Sequence, residues 1–329
     1  MTARRVLAQP DSSLKAVLRA RWALSYAAGP DPEADRPGHV RSGSALASFG
    51  GRIAVIQDDA HFVALVDAAE RHVEAIALEP GEGGKRLYDD ERGNKALKLD
   101  LEACFVSGGV LVLLGSGSTP KRERCVLVRE PRFDTQIVDA SALYRALREA
   151  RDFSGSELNL EGAACRDDGR VVLFQRGNGA SRNGLLPRDA TCEIELFELM
   201  AFLERAGRSA APRLFNVTEY DLGRIAGIRL TFTDGARFGR KLAFLAVAED
   251  SPDAVRDGPV SGVALGVIDE QGEARWTPIV EPNGRQVTTK LEGLLVDCGN
   301  PFRAFAVSDP DDPRAPSELC ELELVGFGP

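Results

Sequence analysis

The stretch Leu160-Glu161-Gly162-Ala163-Ala164-Cys165-Arg166-Asp167-Asp168-Gly169-Arg170-Val171-Val172-Leu173-Phe174-Gln175-Arg176-Gly177-Asn178 decides the fold. It reads as an acidic tripeptide, a short apolar strand, a glycine turn, a second apolar strand and a polar loop. The same grammar recurs at Leu101-Glu102-Ala103, with Cys104 to Val106, Gly108-Gly109, Val110 to Leu114 and then Gly115-Ser116-Gly117-Ser118. It recurs again from Leu291-Glu292-Gly293 to Ala304–Val307 and Ser308-Asp309-Pro310-Asp311-Asp312. Two further segments keep the strand pattern without the Leu-Glu pair. One runs from Ser42-Gly43-Ser44 through Gly50-Gly51 to Gln57-Asp58-Asp59, the other from Gly227-Ile228 through Asp234-Gly235 to Glu249-Asp250-Ser251.

With Gly43, Glu102, Glu161, Ile228 and Glu292 as frame markers, the intervals are 59, 59, 67 and 64 residues. Self-similarity at such a period is the signature of a repeat architecture. The expected fold is therefore all-β: a single β-propeller domain over 1–329 with five blades, or six if the first forty residues form more than one strand. Paired β-sandwiches also offer short strands between turns, but they do not require five segments to share one grammar. Only about three strands of ordinary length follow Glu292, so Leu14–Tyr26 is the expected strand that completes the last blade. Outer strands are expected at His61–Val66, His72–Leu78, Arg124–Val128, Thr135–Asp139, Thr191–Phe197, Leu214–Leu222, Val260–Ile268, Arg275–Val280 and Glu318–Leu324. Ser141 as an N-cap before Leu143 and Leu147 predicts a helix over 142–151, and 198–206 a second, both decorating connections outside the core.

Composition narrows the class. The 329 residues hold 50 Asp plus Glu against 41 Lys plus Arg, a net charge of −9, with 43% hydrophobic residues. Neither disorder nor a basic nucleic-acid surface fits, and Lys121-Arg122-Glu123-Arg124 is too short and mixed to change that. No apolar run approaches the roughly 20 residues that span a bilayer, so no membrane partner is expected. The six cysteines lack C-x-x-C spacing and sit mostly in apolar segments, which reads as free thiols and a cytoplasmic protein.

The ordered motifs Gln57-Asp58-Asp59, Asp100-Leu101-Glu102-Ala103, Gly115-Ser116-Gly117-Ser118, Asn159-Leu160-Glu161-Gly162, Gln175-Arg176-Gly177-Asn178, Ala248-Glu249-Asp250 and Lys290-Leu291-Glu292-Gly293 resemble a bacterial family of unknown function from about His39 onward. The repeat is also similar to those of phytase-like or esterase-like bacterial propellers and of the SdiA-regulated family. The resemblance implies a propeller, and its phytase-like side implies phosphoesterase chemistry with calcium.

If the first strand of each repeat is innermost, blade-start residues and post-strand loops converge on one channel mouth. Glu102, Glu161, Glu249, Asp250, Glu292 and Asp309 are then candidate metal ligands, because hard cations such as calcium or another divalent ion take 6–8 oxygens. The recurring glutamate also reads as a joint, accepting backbone N–H groups from a neighbouring blade while its glycine permits close approach or positive φ. Asp58, Asp59, Lys98, Arg176, Asn178 and Lys290 do not repeat and are candidate ligand-binding residues for a small anionic ligand. Arg176 either grips such an anion or neutralises its neighbours. No catalytic residue is marked, and no nucleotide or flavin cofactor is expected: Gly115–Ser118 lacks the Lys-Ser/Thr of a P-loop. His61 is a general-base candidate without a nucleophile beside it. Asp309-Pro310-Asp311-Asp312-Pro313 reads as a rigid exposed turn. The expected functions are a metal-dependent hydrolase of a small phosphoester or lactone, or a propeller that only binds a small molecule or protein. Oligomeric state stays open.

Overall fold

A computed structural model describes residues 3–250 and 258–328; Ser251, quoted above with Glu249 and Asp250, lies outside them. Three short strands come first: β1 (Arg4–Leu7), β2 (Gln9–Pro10) and β3 (Lys15–Ala23). The first antiparallel sheet holds β4 (Gly43–Phe49), β5 (Arg52–Gln57), β6 (Phe62–Asp67) and β7 (His72–Ala77). The second holds β8 (Leu101–Ser107), β9 (Val110–Gly115), β10 (Arg124–Arg129) and β11 (Asp134–Asp139). Helices α1 (Ser141–Glu149) and α2 (Arg151–Ser154) lead to the third, with β12 (Leu160–Cys165), β13 (Arg170–Gln175), β14 (Asp189–Glu195) and, after α3 (Leu196–Glu204), β15 (Leu214–Asp221). After the short β16 (Arg224–Ile225), the fourth holds β17 (Ile228–Phe238), β18 (Lys241–Glu249), β19 (Val260–Ile268) and β20 (Ala274–Val280). The fifth holds β21 (Leu291–Val296), β22 (Arg303–Ser308) and β23 (Glu318–Val325).

β3 supplies the fourth strand of that last sheet, running antiparallel to β23 from Glu318 opposite Ala23 to Val325 opposite Lys15. β1 pairs with β15 and β2 with β20, both in parallel, so the first 23 residues bind the outer edges of three successive sheets. β3 also touches β20 through two residues, which joins the fourth and fifth sheets edge to edge. The N-terminal segment forms no sheet of its own among the described residues.

The strands read as near-continuous apolar runs because both faces of each sheet are covered. Leu111 to Leu114 and Phe244 to Ala248 are all fully buried. Five separate apolar cores lie between the sheets: one between the first and second, and one at each succeeding pair, ending between the fifth and the first. The innermost strands pack in the same sequence, β4 on β8, β8 on β12, β12 on β17, β17 on β21 and β21 on β4.

The helices depart from expectation. Leu143, Tyr144 and Leu147 of α1 and Leu199, Phe202 and Leu203 of α3 belong to the core between the second and third sheets, so these helices build it rather than decorate it. Three apolar side chains at i, i+1 and i+4 already make one face that must be buried. Ser141 is also not the cap: it is the first helical residue, and its N–H and hydroxyl both donate to Asp139 Oδ1.

The glycine of Leu-Glu-Gly is explained by close approach and not by φ, since neither Gly162 nor Gly293 has positive φ. A Cβ on Gly162 would stand 2.6 Å from the Gly235 nitrogen on the next inner strand, and one on Gly293 2.8 Å from the Ala45 backbone. Gly162→Ala is expected to destabilise the fold by about 1–3 kcal/mol through overpacking against backbone that cannot yield. Thermal melts check it, and an unshifted midpoint would show that the inner strands separate freely.

Candidate functional site

Each innermost strand carries a β-bulge one residue wide, at Ser44, Glu102, Glu161, Thr233 and Glu292. These are the equivalent positions of the repeat, so the frame marker in the first repeat moves from Gly43 to Ser44. In the fourth it moves from Ile228 to Thr233, because the β17–β18 hairpin is longer than the others. A bulge re-aims the extra side chain. Here Glu102, Glu161 and Glu292 all line one cavity of about 230 Å³. The hydroxyls at the other two positions reach the following strand: Ser44 Oγ donates to the Leu101 carbonyl at 2.6 Å and Thr233 Oγ1 to the Leu291 carbonyl at 3.0 Å.

Two residues before each of the three glutamates, another polar side chain faces the same cavity. This places Asp100, Asn159 and Lys290 in the cavity wall, with Lys98 one step further out. The residue after β5, β13 and β22 closes the mouth: Asp58, Arg176 and Asp309, whose N–H groups continue the hairpin ladder by one bond. Asp59 and Asn178 line the cavity as well.

The charges are interlocked. Lys98 Nζ pairs with Asp58 from the first sheet and with Asp100 at 2.6 Å. Arg122 Nη1 reaches Asp100 at 2.7 Å, and the Ser116 hydroxyl donates to the same carboxylate. Arg176 contacts Glu249 at 2.5 Å, Glu161 at 3.4 Å and Glu292 at 3.9 Å, bridging three sheets. Lys290 holds Glu292 at 3.2 Å, Asp311 at 3.1 Å and Asp309 at 3.7 Å. At one side, Arg41 is clamped by Asp59 and by Asp89 at 3.1 Å.

Acids still outnumber bases on the cavity wall, eleven to five. Burial, then the neighbouring Asp100 and Asp58, push the Glu102 carboxyl well above the usual range. Burial raises Glu161 to about 7, against the pull of Arg176 and Lys290. Burial and then Asp58 raise Asp59 to about 7. Asp100 goes the other way: burial would raise it, but Lys98 and Arg122 hold it below its ordinary value.

Several expectations change. Asp250 is exposed and outside the cavity wall, because strand alternation turns it away from the side on which Glu249 meets Arg176. Glu249 itself is consumed by Arg176 and by the Gly258 N–H. Arg176 is set among carboxylates and pairs with three of them. The joint assigned to the repeated glutamate belongs instead to two aspartates that the sequence did not single out. Asp234 accepts the N–H of Leu294 at 2.7 Å and of Gly235 at 2.7 Å. Asp189 accepts those of Gly177 at 3.0 Å and Phe232 at 2.9 Å. Arg41, Asp89 and Arg122 are further unanticipated members, and Asp309 and Asp311 pull half of an expected surface turn into the site while Asp312 stays exposed. In Gly115–Ser118, the Ser116 hydroxyl donates to the Asp100 carboxylate and the Ser118 hydroxyl accepts from Arg122.

His61 does not line the cavity. Its ring stacks on Tyr88 with centroids 4.7 Å apart, Nδ1 lies 3.0 Å from the Glu79 carbonyl oxygen, and Nε2 is buried without a partner among the described residues. Burial lowers it to about 4, so it is neutral at pH 7 and must take up a proton when the protein unfolds in acid. Below the ordinary His value the unfolded chain binds the extra proton, so stability falls from about pH 6.5 toward pH 4, by about 3 kcal/mol for this group. His61→Phe should lose less stability than the wild type over that window. Urea melts at a series of pH values report it, and parallel curves for the two proteins would refute it.

No curated protein matches the chain. Among solved structures, it is similar to a luciferin-regenerating enzyme, at 9% identity over 88% of this chain and 94% of that one, with a TM-score of 0.40. It is similar to a structure from the GH130 family of mannoside phosphorylases at 10% identity, over 86% and 84% of the two chains, with a TM-score of 0.44. It is also similar to the calcium-binding protein regucalcin from Agrobacterium tumefaciens str. C58, at 9% identity over 98% and 97%, with a TM-score of 0.42. At these identities no activity transfers. The family found is the one of unknown function, not the phytase-like or SdiA-regulated one: the chain belongs to the Family of unknown function (DUF6929), whose match spans residues 39–324.

Proposed function

We propose that the chain is a closed five-bladed propeller whose hub binds a divalent cation at Asp58, Asp100 and Glu102 and uses it to receive a small ligand, hydrolysis of a phosphoester or lactone being the reaction class. The circuit of inner strands and the five inter-sheet cores support the ring. One observation carries the site. An oxygen from each of these three carboxylates lies within 4.8 Å of the others, the spread that one ion with metal–oxygen distances of about 2.3–2.6 Å can span. The donor set fits: among the described residues no hydrogen-bond donor reaches the Glu102 carboxylate, and Asp58 Oδ1 is buried without a partner.

A bound divalent ion would polarise a phosphoryl or carbonyl oxygen and lower the pKa of a bound water. The acid-rich wall explains why an anionic substrate needs such an ion: without it the cavity repels one. Glu161, titrating near neutrality, can hold or release a proton at the cavity wall. The cavity volume restricts the ligand to a small one, below the usual range for drug-sized pockets. Cytoplasmic localisation remains part of the proposal; among the described residues no helix is long and apolar enough to cross a membrane.

Calorimetric titration with calcium, magnesium and manganese tests the site. At least one ion is expected to bind, and Glu102→Gln to weaken it at least roughly tenfold, about 1.4 kcal/mol. Absence of binding at millimolar ion would leave the second reading, a propeller that binds a small polar molecule without chemistry. That reading is favoured by the interlocked ion pairs, which leave no activated nucleophile among the described residues.

A further inference from the structure

Resting on the proposed cation site, we infer that Lys98 is a tethered cation that occupies this site in the metal-free protein and sets the affinity for any ion that enters. Lys98, Asp100 and Glu102 all line the cavity, with Asp100 in a left-handed turn of backbone just before β8. Its side chain is only 8% exposed, and its ammonium pairs with Asp58 and Asp100, two of the three carboxylates that define the metal geometry. An ammonium is a compact point charge with three donors, which suits a cage of carboxylate oxygens as a small cation does.

Two consequences follow. The cluster is stable without metal, because the lysine compensates one of its charges, and Glu102 is the member left for the ion to add. An incoming divalent ion gains Glu102 but must take Asp58 and Asp100 from the ammonium, so its affinity is lowered by the strength of those two contacts. Lys98 thereby makes the hub selective for doubly charged ions, since a monovalent ion would exchange one charge for an equal one. Lys290, which holds Glu292, Asp309 and Asp311 on the fifth sheet, serves as the internal comparison: it touches none of the three ligands.

The experiment is calcium and manganese titration, by calorimetry and by ion-dependent shift of the melting midpoint, of the wild type, Lys98→Met, Lys98→Arg and Lys290→Met. Lys98→Met is expected to bind calcium roughly tenfold or more tightly than the wild type, a change of about 1.4 kcal/mol or more. Lys98→Arg, which keeps the charge, should stay near the wild type, and Lys290→Met should show no gain. If Lys98→Met is unfolded without metal, recovery of the folded circular-dichroism signal in millimolar calcium, and not in sodium chloride of equal ionic strength, supports the inference. Binding by Lys98→Met alone upholds the tethered cation and removes the metal from the native function. Equal affinity in wild type and Lys98→Met, with loss in Glu102→Gln, overturns the inference and keeps the site. No binding in any protein overturns both.

Discussion

Asp189→Ala will lower the stability of the protein by about 3–5 kcal/mol, the loss expected when two buried backbone donors are left without their acceptor. Asp189 is fully buried on β14. Its carboxylate accepts the Gly177 N–H from its own sheet, the Phe232 N–H from β17 of the next sheet, and Arg229 Nη2 at 2.5 Å. Removing it orphans two backbone donors in the core, while Arg229, whose side chain is 34% exposed, can turn to water. Asp189→Asn should lose much less, because its amide oxygen can keep both backbone donors, which meet Oδ1, and its NH2 replaces only the Oδ2 contact to Arg229. The predicted signature is a lower chemical-denaturation midpoint with an unchanged m-value. A midpoint within error of the wild type would show that the third and fourth sheets are held by apolar packing alone.

Arg176→Met will cost a similar amount, about 3–5 kcal/mol near pH 8, with a dependence on pH that a packing defect would not show. The guanidinium compensates Glu161, Glu249 and Glu292 at a site where its own side chain is 4% exposed. Glu161 titrates at about 7 even with Arg176 beside it, so without it the folded-state value rises further. A carboxyl with a raised folded pKa contributes stability that is present in acid and lost as pH climbs through that value. The deficit of the variant should therefore be larger at pH 8 than at pH 5.5, where Glu161 is protonated in both proteins. A deficit independent of pH would mean that the arginine is held there for its bulk.

The strands are legible in the sequence because apolar runs punctuated by glycine turns leave few alternatives, and the repeated Leu-Glu pair marks Glu102, Glu161 and Glu292, which line one cavity. Ser44 and Thr233, equivalent to those glutamates, were hidden because a hydroxyl solves the same bulge with different chemistry. Asp189 and Asp234 were hidden for the opposite reason: each occurs once, inside a strand, and its worth depends on a neighbour more than forty residues away. Arg41, Asp89 and Arg122 come from connecting segments whose path no periodicity records. Asp250 misses the cavity because it turns to solvent where Glu249 meets Arg176, an orientation the sequence does not record.

The pairing of β3 with β23 sets a schedule for assembly. Residues 15–23 leave the ribosome long before their partners at 318–325. The first three sheets can zip up locally as they emerge, and β1 and β2 find β15 and β20, while β3 must wait for β23. The fourth strand of the last sheet is thus added only after β22 and β23 exist to receive it.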